Sequence, residues 1–270
     1  MAFTFHQQDQ MVWLTAENLS ACPQLRHGFS TRKGGVSPAP WDSLNLAIGR
    51  ADGMDAVREN YRIFCGALGT DPQRVVLPQQ THSTNIRRVT AKDAGKGLWC
   101  DRDYQNIDAM ITNEPGISMV AFSADCGIIL LYDPVHHAVG SVHAGWRGCA
   151  AGILAKTVAA MTEAFGSDPA DMLAAIGPCI GQCCFETDDD VPAAMRAALA
   201  DDAEPYLQRR GVKFHVDLEG LNRQWLLRAG LSPEHIEACH LCTACRPDLF
   251  WSHRKMGKQR GAQIAMISLL

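Results

Sequence analysis

Two short apolar runs, Ile128 to Tyr132 and Val139 to Val142, narrow the folding options of this chain most. Each has the length and aliphatic composition of a buried strand, and only a polar turn separates them. Ala124-Asp125-Cys126 leads into the first run, and the second ends on His143 in Val142-His143-Ala144-Gly145-Trp146-Arg147-Gly148. A thiol and an imidazole are therefore expected at the ends of adjacent short strands. Such a pair suits either a transition metal or a cysteine nucleophile with its base.

Other candidate residues follow predicted strands in the same way. Val75 to Pro78 reads as a strand that delivers Gln79-Gln80-Thr81-His82-Ser83-Thr84-Asn85, a polar cluster just beyond an apolar stretch, where sites in α/β proteins lie. Ile107 to Thr112 and Ile117 to Phe122 read as two more strands, the second running into Asp125-Cys126. His82, Cys126 and His143 thus each follow a predicted strand. Gly28 to Ser37 reads as a strand exit into a Gly-rich loop, in which Arg32 offers a planar cation suited to phosphate; a plain surface turn is an equal alternative. Val57, Tyr61, Phe64 and Leu68 recur at helical spacing and Gly69 closes that segment.

Beyond His143 the pattern predicts a turn into one helix, with Leu154, Val158, Met161 and Phe165 on a single face and Gly166 as its stop. The start of that helix beside Arg147 is a candidate anion site. Residues 188–202 read as an acidic, solvated helix, and Leu218, Leu221 and Trp225 mark another. A terminal strand is expected from Gln263 to Leu270. Arg254, in Phe250-Trp251-Ser252-His253-Arg254, is a plausible second anion ligand.

At 270 residues, with 47% hydrophobic and 20% charged, the chain can bury a large core as one domain or two closely packed halves. A net charge of −4 leaves no electrostatic footprint for nucleic acid or an anionic membrane. The N-terminal stretch lacks a basic and an apolar signal region, and no run approaches the roughly 20 apolar residues of a membrane span. A cytoplasmic location follows as the expectation, and the eleven cysteines read as reduced thiols. Cys239, Cys242 and Cys245 have the spacing of an iron–sulfur or zinc ligand run, but Leu249 stands where the bacterial ferredoxin pattern needs a fourth cysteine. Cys179, Cys183 and Cys184 show no clear second pair. Buried thiols are expected at Cys179, Cys183 and Cys184, and a metal is not the favoured reading at Cys239, Cys242 and Cys245.

Several motifs follow one another in a recognisable order: His27-Gly28-Phe29-Ser30-Thr31-Arg32, Ser43-Leu44-Asn45-Leu46, Gln80-Thr81-His82, Asp108-Ala109-Met110-Ile111-Thr112, Ala124-Asp125-Cys126, His143-Ala144-Gly145-Trp146-Arg147-Gly148, Ile176-Gly177-Pro178-Cys179-Ile180 and Phe250-Trp251-Ser252-His253-Arg254. On them the chain resembles the laccase-domain, or polyphenol oxidase, family, whose members are described as zinc-dependent purine nucleoside phosphorylases. The resemblance spans nearly the whole chain and implies one α/β domain over residues 1–270, an α-β-β-α sandwich of mixed sheets similar to the catalytic domain of cytotoxic necrotizing factor. It implies a zinc held by His82, Cys126 and His143, with copper able to take the same place.

The activities implied are phosphorolysis of adenosine, inosine and methylthioadenosine, and deamination of adenosine; some similar bacterial proteins are named for editing peptidoglycan precursors. Catalytic roles then fall to Cys126, His143 and Arg147, and substrate or phosphate binding to Arg32, Asn45, Gln80 and Arg254. Purine nucleosides and phosphate are the expected partners, to a monomer or small homo-oligomer. The alternative is a cysteine hydrolase or amidase with Cys126 as nucleophile and His143 as base. Multicopper oxidation is expected to be incidental at most, because the ten histidines include no His-x-His pair. Two departures from the family pattern stand out: Ile48-Gly49-Arg50-Ala51-Asp52 where a Gly-Asp pair is common, and Phe185 where a tyrosine is common.

Overall fold

The computed structural model describes residues 3–49 and 51–270. Arg50, part of the Ile48–Asp52 departure, and the first two residues of the N-terminal stretch lie outside them. Among the described residues fifteen strands are interspersed with helices: β1 (Phe3–Gln8), β2 (Met11–Ala16), β3 (Leu25–Ser30), β4 (Val75–Val76), β5 (Ile86–Arg88), β6 (Ala109–Thr112), β7 (Ser118–Ser123) and β8 (Gly127–Asp133). These are followed by β9 (Ala138–Ala144), β10 (Leu173–Ile176), β11 (Glu186–Thr187), β12 (Leu207–Arg210), β13 (Lys213–Val216), β14 (Ile236–Ala238) and β15 (Gln263–Leu269). The helices are α1 (Glu17–Ser20), α2 (Met54–Leu68), α3 (Trp146–Ala150), α4 (Ile153–Phe165), α5 (Asp190–Leu199), α6 (Leu218–Arg228) and α7 (His253–Met256).

One sheet runs β1-β2-β3-β15-β7-β4 and a second β14-β10-β8-β9-β6-β5; β11, β13 and β12 form a small third. Both large sheets are mixed: β4 joins β7, β14 joins β10 and β5 joins β6 in parallel, while the other pairings are antiparallel. The period of two along the central strands explains how the sheets stack. Ile128, Leu130 and Tyr132 of β8 face Ala265, Ile267 and Leu269 of β15 in a core between the two sheets. Ile129 and Leu131 point the other way, under Leu154, Val158 and Met161 of α4. On the far side Ile264 and Met266 lie beneath Tyr61, Phe64 and Leu68 of α2. Strands covered on both faces read as continuous apolar runs, and the expected α-β-β-α layering is what they build.

Two expectations need correction. The helix after His143 is two helices, because Gly152 takes a left-handed conformation (φ 72°) between α3 and α4; a Cβ there would lie 3.2 Å from the Trp225 ring. The acidic segment is not simply solvated: α5 buries Val191, Met195 and Leu199 against Leu218 and Leu221 of α6. His143 is the penultimate residue of β9, in keeping with a strand that ends on the histidine. The β1–β2 hairpin was not expected, since residues 4–8 are mostly polar and only Phe3 among those of β1 is buried.

Candidate metal centre

Three chain segments meet at the end of the second sheet. Cys126 sits in the tight turn between β7 and β8; β8 pairs with β9 so that Ile128 lies opposite His143. The loop after β4 brings in His82, whose Nε2 lies 3.8 Å from Cys126 Sγ and whose ring meets that of His143 edge-on at 4.9 Å. Ligand atoms of His82, Cys126 and His143 all lie within 4.8 Å of one another. Two of the turns are strained: His82 (φ 63°) and Asp125 (φ 103°) are in the left-handed region that non-glycine residues avoid. Such strain persists where the surroundings fix it, and here they do. Thr243 Oγ1 and the Arg254 backbone N–H both donate to the Asp125 carboxylate, at 2.6 Å each.

Asp108 holds the other side. Its carboxylate accepts from His143 Nδ1 (2.8 Å), from the backbone N–H groups of Thr81, His82 and Ser83, and from Ser83 Oγ. Burial works against this carboxylate, yet the bonds from His143, Thr81 and Ser83 prevail and hold its pKa at about 2. With Nδ1 committed, His143 presents Nε2 to Cys126, the tautomer a metal ligand needs. Burial likewise raises the Cys126 thiol, but His143 and His82 bring it down to about 6. Burial lowers His143, and Cys126 with Asp108 raises it to about 9. Each member of the pair thus favours the charged form of the other.

The donor set fits zinc. Two imidazoles and a thiolate leave one tetrahedral position open, the pattern of catalytic sites. Gly145 leaves the space beside them clear: a Cβ there would lie 2.8 Å from Cys126 Sγ and 2.9 Å from His82 Cδ2.

Two clefts open on this group and share His82, Ala124, Cys126 and Arg260. One, of about 340 Å³, is walled by Pro78, Gln79, Gln80, Arg102 and Phe122. The other, of about 360 Å³, is walled by Trp146, Arg147, Ile180, Phe185, His253 and Arg254. Gln80 is fixed by a reciprocal pair of hydrogen bonds to the Phe122 backbone. Arg147 lies 4.2 Å over the Trp146 ring; α3 is only five residues long, so the guanidinium rather than a helix start supplies the positive charge. Arg254 donates to the carbonyls of Cys184 and Glu186 and lies 5.9 Å from the Phe185 ring, so the second family departure falls in this wall.

Two candidates lie elsewhere. Arg32 stacks on Trp251 at 4.0 Å, donates to the carbonyls of Asp42 and Pro247, and lines a separate cleft. The N–H groups of its glycine loop are already taken, by Ser43 Oγ for Gly34 and Gly35 and by Asn60 for Val36. Asn45 is fully buried; its amide donates to Asp52 and its carbonyl accepts from Ala47 and Ala262. Asp52, at the edge of the first departure, thereby ties Asn45 to Ser37 and is a framework residue. Asp108, Asp125, Arg102 and Arg260 were not singled out from sequence. Asp108 and Asp125 stood inside quoted motifs, but their partners lie far away along the chain.

Comparison with known proteins agrees with this architecture. The profile of the family described as multi-copper polyphenol oxidoreductase laccase matches residues 26–270. The chain is 36% identical over 246 residues to the purine nucleoside phosphorylase YlmD of Bacillus subtilis, covering 90% of this chain and 87% of that protein. The crystal structure of the Bacillus licheniformis hypothetical protein YfiH matches with a TM-score of 0.92 at 33% identity, over 98% of this chain and 99% of that one. YlmD from Geobacillus stearothermophilus matches with a TM-score of 0.90 at 32% identity, over 98% of each chain.

Proposed function

Because the chain belongs to the family described as multi-copper polyphenol oxidoreductase laccase, with relatives named purine nucleoside phosphorylase, we propose that it is a zinc-dependent purine nucleoside phosphorylase that also deaminates adenosine. The observation that carries this reading is the convergence of His82, Cys126 and His143 on one point, flanked by a cleft lined by Arg147, Arg254 and Arg260. Phosphorolysis joins a phosphate oxygen to C1′ of the ribose while the bond from C1′ to the purine nitrogen breaks, its electron pair leaving with the base. Arg147 and Arg254 match the charge of the phosphate dianion. Each Arg254 terminal nitrogen keeps a second hydrogen beyond its bond to a backbone carbonyl. Trp146 and Phe185 give the same cleft flat apolar walls, and the rigid Gln80 offers an orienting amide on the other side. Zinc held by His82, Cys126 and His143 would supply a Lewis acid, and copper could occupy the same donors. Deamination exchanges the C6 amino group for water's oxygen and releases ammonia.

The test is to incubate metal-analysed protein with adenosine or inosine, with and without phosphate, and identify the products. Phosphate-dependent ribose 1-phosphate supports the reading, and formation of inosine from adenosine without phosphate supports the second activity; no conversion of any nucleoside removes both. One observation favours a different chemistry: Asp108, His143 and Cys126 are linked in the order of a hydrolase triad, with the thiol depressed to about 6. A cysteine hydrolase or amidase, acting on a peptidoglycan precursor, would keep full activity after complete zinc removal and lose it on alkylation. The phosphorylase would lose activity on zinc removal.

A further inference from the structure

A second group of sulfurs is assembled away from the triad, from two places where the sequence alone argued against a metal. Past β10 the chain turns at Gly181, with Cys184 and Phe185 both donating to its carbonyl, and presents Cys183 and Cys184. Past β14 it turns at Cys242, with Arg246 donating back to that carbonyl, and presents Cys242 and Cys245. Strands β10 and β14 pair in parallel, and the pairing continues beyond them: Cys239 donates to Ile176 and Thr243 donates to Cys179. The two turns therefore leave the sheet side by side. Cys245 Sγ lies 3.5 Å from Cys183 Sγ and 3.4 Å from Cys184 Sγ, and all four sulfurs lie within 4.8 Å of one another.

We propose that Cys183, Cys184, Cys242 and Cys245 hold one tetrahedral zinc ion that clips the loop after β10 to the loop after β14. A zinc–sulfur bond of about 2.3 Å places sulfurs at the corners of a tetrahedron about 3.8 Å apart, within the span found here. An iron–sulfur cluster puts several irons and sulfides between its cysteines and needs wider spacing. A single disulfide leaves two of the four sulfurs over, and Cys245 stands midway between two partners. Gly181 permits the close approach, since a Cβ there would lie 3.1 Å from Cys242 Cβ and 3.4 Å from Cys183 Sγ.

The clip stands behind one wall of the catalytic cleft. The first loop bonds to Asp125 through the Ile180 N–H, and the second through Thr243. Arg254 is tied to the first loop and the start of β11 by its bonds to the Cys184 and Glu186 carbonyls.

The decisive measurement is zinc content in a His82→Ala/Cys126→Ala background, purified with reductant and without chelator. The expected result is one zinc per chain, lost on adding Cys242→Ser/Cys245→Ser. Cobalt introduced into the same background gives the intense visible bands of a tetrahedral tetrathiolate site. In wild-type protein, where folding of variants is not at issue, chelation speeds amide exchange in residues 177–186 and 239–250 by at least tenfold. The proposal is overturned by metal-free background protein whose four thiols react freely with a thiol reagent, by iron in place of zinc, or by a mass two hydrogens lighter showing a disulfide. It is equally overturned if the Cys242→Ser/Cys245→Ser protein keeps the zinc.

Discussion

A single methyl group at Gly145 should disable the candidate centre while leaving the fold intact. Gly145 has φ −67° and ψ 170°, extended backbone that alanine adopts freely, so Gly145→Ala brings no backbone strain. At such positions the replacement tends to stabilise by about 0.4–1 kcal/mol through the unfolded chain. The added carbon would stand 2.8 Å from Cys126 Sγ, 2.9 Å from His82 Cδ2 and 3.4 Å from His82 Nε2. Ordinary carbon contacts begin near 3.5 Å, so both side chains must retreat by roughly 0.7 Å. Metal sites tolerate about 0.2 Å of error in their bonds. Losing good geometry at two of three ligands is expected to weaken zinc binding and lower kcat/KM by about 100-fold, or about 2.7 kcal/mol. Zinc affinity would be read by competition with a chromogenic chelator, kcat/KM by ribose 1-phosphate release, and stability by the Tm of the zinc-free protein. Zinc affinity and kcat/KM both within twofold of wild type would refute the reasoning.

Other consequences follow from the same geometry. Asp108→Asn removes the charge and one of the two oxygens that accept from His143 and the 81–83 loop, so zinc affinity should fall 10–100-fold and a direct titration checks it. Gly66→Ala, exposed inside α2 with nothing within 4 Å of its new Cβ, should raise stability by about 0.5–1 kcal/mol, seen as a Tm higher by about 2–4 °C. His27 is held neutral because burial lowers its pKa to about 4 while its Nε2 accepts from the Ala16 N–H. Between about pH 6.5 and 4 the unfolded chain then binds a proton that the folded chain does not. Stability should therefore fall by about 3 kcal/mol as pH drops through that window and level off below it. A urea midpoint measured across pH 4–7 checks this, and His27→Gln should flatten the slope.

Much of the fold could be read from the chain because its central strands are covered on both faces. The runs Ile128 to Tyr132 and Ile264 to Ile267 are apolar, and α2 and α4 end on left-handed Gly69 and Gly166. The β1–β2 hairpin escaped notice because an edge strand buries one residue and leaves the rest polar. The three donors of the centre were legible because each follows an apolar run. Asp108 was not, since its carboxylate gains meaning only when residues 81–83 and His143 reach it from elsewhere in the chain. The four-cysteine group was hidden for the same reason: each half is an incomplete site, and only the β10–β14 pairing joins them. Arg32 and Asn45 show the converse, motif residues whose bonding capacity is spent inside the framework.

The position of β15 bears on how the molecule is made. It lies between β3 and β7, paired with both, yet it is the last of the described strands to be synthesised. Until it arrives, β3 and β7 each present an open edge, and the first sheet exists as two unjoined pieces. Closing so long a stretch of chain is slow, and unpaired edges invite self-association meanwhile. Refolding should accordingly show a late, concentration-sensitive phase that ends when β15 zips into the gap.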